Sequence, residues 1–176
     1  RADYKVRLPA RFQLVAAMNP CPCGYLGDGS GRCRCSAEQV ARYQGRVSGP
    51  LLERVDIHVT MPKETLRINP VDDVAESSFS IRDRVCEAQQ QQRVRAGELN
   101  ARLGLDALHA ACELHACDRA LIEQAAGTLD LSLRACHKVL KVSRTIADLD
   151  GACRIARPHL LEALSLRVRT ARTLGV

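Results

Sequence analysis

The stretch LSLRACHKVLKVSRTIADLDG, residues 131–151, decides the fold class. Ser132 stands where a side-chain oxygen can accept a backbone N–H at a helix start, and Gly151 stands where such a helix closes. Between them Val139, Val142 and Ile146 recur at helical spacing and suit a core, while Arg134, Lys138 and Lys141 form a basic stripe facing away from it. The spacing predicts a helix over 132–148.

Helical signals also surround it. Ser78 is placed to cap a helix through about Arg95, with Ile81, Val85 and Ala88 spaced for one buried face and the polar run Gln89 to Gln92 on its later turns. Further helices are expected at about 106–113, 117–128 and 158–168, which makes residues 77–176 a small helical bundle. Residues 63–76 are charged and lack a sustained period, so they read as a linker.

Residues 1–62 differ in character. Phe12 to Ala17 is an apolar run closed by Met18-Asn19-Pro20, where Pro20 removes a donor, and it reads as a buried strand ending at Asn19. Ser36-Ala37-Glu38-Gln39 is a capping box opening a helix over about 37–43. After the breaks at Gly45 and Gly49-Pro50, Leu51 to Arg54 is a short helical turn, and Asp56 to Met61 alternates like a strand that Pro62 ends. The fold expected is mainly α: a helical bundle preceded by an α/β remnant.

Composition agrees with this reading. Apolar residues make up 46% and aromatics only 3%, so the core must be built from Leu, Val, Ile and Ala, as helices packed at short distance allow. The net charge of +6 sits at the two ends, with a slightly acidic middle, and permits a phosphate-containing partner without identifying one. Nine cysteines are an odd number, and Cys86, Cys112, Cys117, Cys136 and Cys153 lie singly in helical stretches, which favours a reducing cytoplasm over a secreted disulfide scaffold. No run of about 18 apolar residues and no signal-peptide pattern supports membrane insertion or export. The abrupt basic start at Arg1 suggests an excised fragment.

The most specific local chemistry is Cys21-Pro22-Cys23 followed, nine residues on, by Cys33-Arg34-Cys35. Four thiolates close a tetrahedral shell around Zn²⁺, and the intervening glycines let the chain fold back to present them. The one-residue gap within each pair is tighter than the usual two, and free thiols or labile disulfides are the alternative. Four cysteines leave no open position for water, so the set reads as a structural rather than a catalytic zinc site. Asn19 is a turn residue before proline, Arg54 a surface charge or a partner of Glu53 or Asp56, and Arg134 a helix-start charge, when each is read alone. Cys112, His115 and Cys117 read as helix-core positions rather than ligands.

Taken together, FQLVAAMNPCPCGYLGD (12–28), CRCS (33–36), RYQGRVSGPLLERVDIHV (42–59), LSLRACHKVLKVSRTIADLDG (131–151) and HLLEALSLR (159–167) resemble the magnesium-chelatase-like AAA+ ATPases of bacteria, the ComM/YifB group. The resemblance runs over most of the chain and is weakest at 63–76 and 97–112. It implies the C-terminal portion of an AAA+ module, with residues 77–176 as the helical lid and 1–62 as part of the α/β core. Asn19 then matches sensor 1, Arg54 the arginine finger that reaches a neighbour's nucleotide, and Arg134 sensor 2; Arg46 is a second finger candidate. An always-protonated planar guanidinium suits the charge spread over transferring phosphoryl oxygens.

The resemblance further implies ATP and Mg²⁺ as cofactors of the intact protein, a ring hexamer of identical copies, and DNA as partner, in branch migration during natural transformation. No G-x-x-x-x-G-K-[ST] loop and no acidic strand end for Mg²⁺ occur in these residues, so the chain alone is expected not to hydrolyse ATP. Without the strand that leads into that loop, the strands at 12–19 and 56–61 are expected to lose their sheet neighbours while the bundle stays ordered. Two other readings stand beside this one. One is a zinc-bearing DNA-binding module using Leu133, Arg134 and His137 of the basic helix; the other is a metal-insertion ATPase subunit, against which the four-cysteine insert argues.

Overall fold

The computed structural model describes residues 6, 9, 12–62 and 76–167. The chain divides into two compact units, Arg1–Arg46 and Val47–Val176.

In the first unit a cysteine-rich loop leads into α1 (Ala37–Gln44). The capping box forms as the sequence predicts: the Gln39 N–H donates to Ser36 Oγ at 3.2 Å, and the Ser36 N–H donates to Gln39 Oε1 at 3.0 Å. Gln44 Nε2 donates to the Pro20 carbonyl at 2.9 Å and ties the helix end to the start of the loop.

The second unit holds α2 (Gly49–Arg54), α3 (Ser78–Ala96), a 3₁₀ turn (Asn100–Arg102), α4 (Leu105–Ala111), α5 (Ala116–Leu129), α6 (Leu133–Leu149) and α7 (Arg157–Ser165). Helix α6 is its axis, packing on α7, α3 and α4. Val139, Val142 and Ile146 are buried with Ala163 of α7, and Leu140 and Ala147 join Leu103, Leu108, Cys112, Ile122, Ile155 and Leu160 in the main core. Ser132 Oγ accepts from the Ala135 N–H at 3.3 Å. At the other end Gly151, at φ 67°, donates to Asp148 O, and the Ala152 N–H reaches Ala147 O at 2.8 Å, the paired bonds of a glycine-closed helix terminus. Cap, apolar face and closure therefore agree with the sequence.

The core is crossed by one charged network. Asp148, with a side chain 0% exposed, accepts from Arg95 Nη1 at 2.6 Å and Nη2 at 2.8 Å, from Asn100 Nδ2 at 2.8 Å and from Arg144 Nε at 3.1 Å. Arg144 spends its remaining donors on the carbonyls of Ala152 and Cys153, and the Asn100 N–H donates to the buried Gln92. The polar run of α3 thus enters the bundle through Gln92, where it fixes the 3₁₀ turn.

Three expectations need correction. Helix α3 is capped by Ser77, whose Oγ accepts from the Ser80 N–H, and not by Ser78. Its first half does not face the core: Ile81 is 41% exposed, and the buried residues are Ala88 and Gln92, because only the later turns hold the Arg95 and Gln92 links into the bundle. Neither 12–19 nor 56–61 forms a strand among the described residues, and Val15 is 85% exposed. A strand needs a neighbour to satisfy its backbone groups, and no described segment runs beside either stretch as a ladder partner.

Residues 47–62, which the sequence groups with 1–46, lie in the compact unit of the helices. The linker expected over 63–76 falls outside the described residues except for Glu76, which accepts from Arg84 at 2.7 Å. Among the described residues no helix is long and apolar enough to cross a membrane.

Candidate functional site

The loop that follows Asn19 turns sharply. Gly24, at φ 81°, donates its N–H to Cys21 O at 3.0 Å, a turn that needs the left-handed backbone glycine allows. The loop tip is closed by Arg32, which pairs with Asp28 at 3.0 Å and lies over the Tyr25 ring at 4.1 Å. These local contacts bring Cys21, Cys23, Cys33 and Cys35 together, all four sulfurs lying within 4.8 Å of one another. No pair among them is joined as a disulfide. The Sγ separations of 3.3 Å (Cys21–Cys23), 3.6 Å (Cys23–Cys33) and 3.8 Å (Cys21–Cys33) lie at or just below the roughly 3.8 Å edge of a tetrahedron with Zn–S bonds of about 2.3 Å.

Electrostatics of the four sulfurs point the same way. Burial disfavours the Cys21 thiolate, but hydrogen bonds from the Cys23 thiol, the Leu26 backbone and the Cys33 thiol outweigh it and bring Cys21 down to about 6. The Cys35 backbone favours a Cys33 thiolate, yet burial and the sulfurs of Cys23 and Cys21 push Cys33 up to about 12, and Cys35 is raised as well. One negative sulfur suppresses the ionisation of the others. Only a cation among them stabilises four thiolates at once, so the donor set and its spacing fit a structural Zn²⁺. We expect about one zinc per chain, measured by elemental analysis of protein purified without chelator; metal-free protein would contradict the assignment. Cys33→Ser should release the metal and leave the far-UV circular dichroism of the helical unit unchanged, since α3 to α7 take no residue from the loop.

Asn19 and Arg46 belong to the same unit as the cysteines. Asn19 is exposed, with its side chain 3.7 Å from where a Cβ on Gly24 would stand. Arg46 is exposed and follows α1, its N–H donating to Tyr43 O at 3.3 Å.

Arg54 and Arg134 belong to the helical unit. Arg54 ends α2 and is exposed, its Nη1 donating back to Pro50 O at 2.6 Å within its own helix. Arg134 lies in the first turn of α6, exposed, with no hydrogen bond or ion pair to another described residue. The two guanidiniums do not touch, but Lys138 connects their elements. One turn along α6 from Arg134, its ammonium donates to the Arg54 carbonyl and, at 2.6 Å, to Asp56 Oδ1. Lys141 is also used internally, donating to Ala101 O at 3.0 Å and Leu103 O at 2.8 Å. Of the basic stripe, Arg134 alone makes no polar contact among the described residues.

Sequence reasoning missed the attachments of residues 54–58. Arg167 Nη1 donates to Val55 O at 2.9 Å, and the His58 N–H donates to Leu166 O at 2.8 Å. Burial, followed by the charge of Arg167, holds the His58 imidazole below the usual histidine value. These partners lie more than a hundred residues apart, so no local pattern announces them. The core reading of Cys112 holds, burial pushing its thiol up to about 11, whereas Cys117 and His115 are exposed.

The helices packed around α6 are those of a C-terminal helical lid domain of an AAA+ module. Residues 75–167 match the family described as magnesium chelatase, subunit ChlI C-terminal, and residues 1–68 match magnesium chelatase, subunit ChlI; the chain belongs to this magnesium chelatase ChlI family. It is 44% identical over 169 residues to the competence protein ComM of Haemophilus influenzae, covering 95% of this chain and 33% of that protein. It is 43% identical over 169 residues to the uncharacterized protein YifB of Escherichia coli, with the same shares covered. An uncharacterized Mycobacterium tuberculosis protein is 34% identical over 176 residues, covering 98% of this chain and 34% of its own length. The chain therefore spans about a third of the length of these relatives.

Proposed function

We propose that this chain is the lid and sensing portion of a ring-forming AAA+ ATPase that converts ATP hydrolysis into branch migration of DNA. The observation that carries the reading is the 44% identity to the competence protein ComM along 95% of the chain. Asn19 orients the attacking water beside the γ-phosphate, as sensor 1. Arg134, unspent at the head of α6, closes on the nucleotide of its own subunit as sensor 2. Arg54 reaches the nucleotide of the next subunit, and Arg46 is the alternative finger. ATP and Mg²⁺ are held by a phosphate loop and acidic residues that the 176 residues do not contain, so the isolated chain does not turn ATP over.

The zinc loop is a structural clip next to Asn19. It fixes the chain direction after the sensor and takes no part in the reaction. Lys138 and Lys141, the basic neighbours of Leu133, Arg134 and His137 on α6, are bonded within the chain, and this favours the ATPase reading over a groove-reading α6, which would need those charges for phosphate contacts.

The test is strand exchange on a synthetic four-way DNA junction by the intact protein. Exchange that depends on ATP and Mg²⁺, with junction binding that weakens as salt rises, is expected. ATP turnover indifferent to DNA would overturn the branch-migration assignment and favour the metal-insertion reading.

A further inference from the structure

Helix α2 is only six residues long and buries none of its own residues, so its position must come from outside it. Bonds to the lid supply that position. Lys138, whose side chain is 13% exposed, donates to the carbonyl of Arg54 at the open C-terminal end of α2, where a cation is favoured, and pairs with Asp56 two residues on. Arg167, just past α7, holds Val55 O, and Leu166 O receives the His58 N–H. Residues 54–58 are thus strapped to α6 and to the end of α7.

We propose that Lys138 is a positioning residue that couples the nucleotide-sensing lid helix to the finger arginine: a movement of α6 driven at Arg134 carries Arg54 with it. The inference rests on the reading of Arg54 as the finger. Arg134 and Lys138 are four residues apart on one rigid helix, so they move together, and Lys138 grips the peptide of Arg54 itself. A bond to the main chain moves the whole residue and leaves its guanidinium free to act elsewhere. Through this link the nucleotide state of one subunit sets the finger offered to the next.

The test compares intact-protein variants. Lys138→Met keeps the length of the side chain and removes the charge; it should lower kcat for ATP by about 3- to 30-fold with KM for ATP unchanged, while Lys138→Arg retains most of the rate. Mixing Lys138→Met subunits with subunits that bind ATP but cannot hydrolyse it should restore turnover, because those subunits still present an Arg54 positioned by their own nucleotide. Asp56→Asn weakens the exposed side of the pair but leaves the Lys138 bond to the Arg54 carbonyl, so it should show a smaller kcat loss with the same rescue, which keeps the test open if Lys138→Met fails to fold. In the Lys138→Met protein the amides of Val55 and His58 should exchange faster while those of α6 do not change. A Lys138→Met enzyme of normal kcat, a loss confined to KM, or a loss that mixing does not rescue overturns the coupling. If Arg54→Ala itself leaves turnover intact, the finger reading falls and the coupling with it; if Arg54→Ala is inactive and Lys138→Met is normal, the coupling alone falls.

Discussion

Asp148→Ala should cost the helical unit about 3–5 kcal/mol, because it leaves Arg144, 1% exposed, and the guanidinium of Arg95 without their shared counter-charge inside the core. Domains of this kind are stable by only about 5–15 kcal/mol, so the variant should lose a large part of its stability while remaining mostly folded at room temperature. Asn100 would lose an acceptor as well, and the 3₁₀ turn it anchors would loosen. Denaturant unfolding followed by far-UV circular dichroism measures this directly. A shift below about 1 kcal/mol would show that water replaces the carboxylate easily and that the network does not hold the bundle.

The same group sets an acid limit. Burial alone would raise the Asp148 carboxyl, but the hydrogen bonds from Arg95 and Asn100 and the charge of Arg144 prevail and hold it below the ordinary aspartate value. A carboxyl whose folded value lies below its unfolded one adds stability that is fully present above the unfolded value and is lost as pH falls through the folded value. Stability should therefore be flat near neutrality and decline below about pH 4, and Asp148→Asn should remove most of that acid dependence. Glu76, held down by the guanidinium of Arg84, adds to the same slope, but this pair is exposed and contributes less.

What could be read from the sequence follows the range of the interactions involved. In α6 the cap at Ser132, the apolar positions 139, 142 and 146 and the closure at Gly151 are all local and all agree, and the helix forms between them. The capping box at Ser36 and Gln39 is local too. Ile81 and Val85 carry the same kind of period yet face solvent, because periodicity states that a face exists and not what covers it. The stretches at 12–19 and 56–61 have strand composition, but a strand is made by its neighbour, and pairing is not written in the segment itself.

The site divides in the same way. Four cysteines within fifteen residues are gathered by one loop, so their grouping was legible from spacing. Arg134 is an ordinary helix-start charge by pattern, and only family resemblance marks it; the structure adds that its two stripe companions are engaged elsewhere. The clamp of Lys138 on Arg54 and Asp56 joins positions more than eighty residues apart and was not legible at all.

Arg54→Ala in the intact protein should lower kcat by about 10³- to 10⁵-fold while leaving nucleotide binding nearly unchanged, since a finger acts on the charge that develops in the transition state of the neighbouring site. The side chain is suited to this: it is exposed, it ends a short helix, and the only bond that its guanidinium makes among the described residues is to a carbonyl of that helix, which it can leave at little cost. The most direct measurement is ATP turnover in mixtures of Arg54→Ala subunits with subunits whose phosphate loop is disabled. Each is inactive alone, and mixing should restore activity, highest near equal proportions, because an intact nucleotide site then faces an intact finger. Absence of rescue at every ratio, or normal turnover by Arg54→Ala alone, would contradict it.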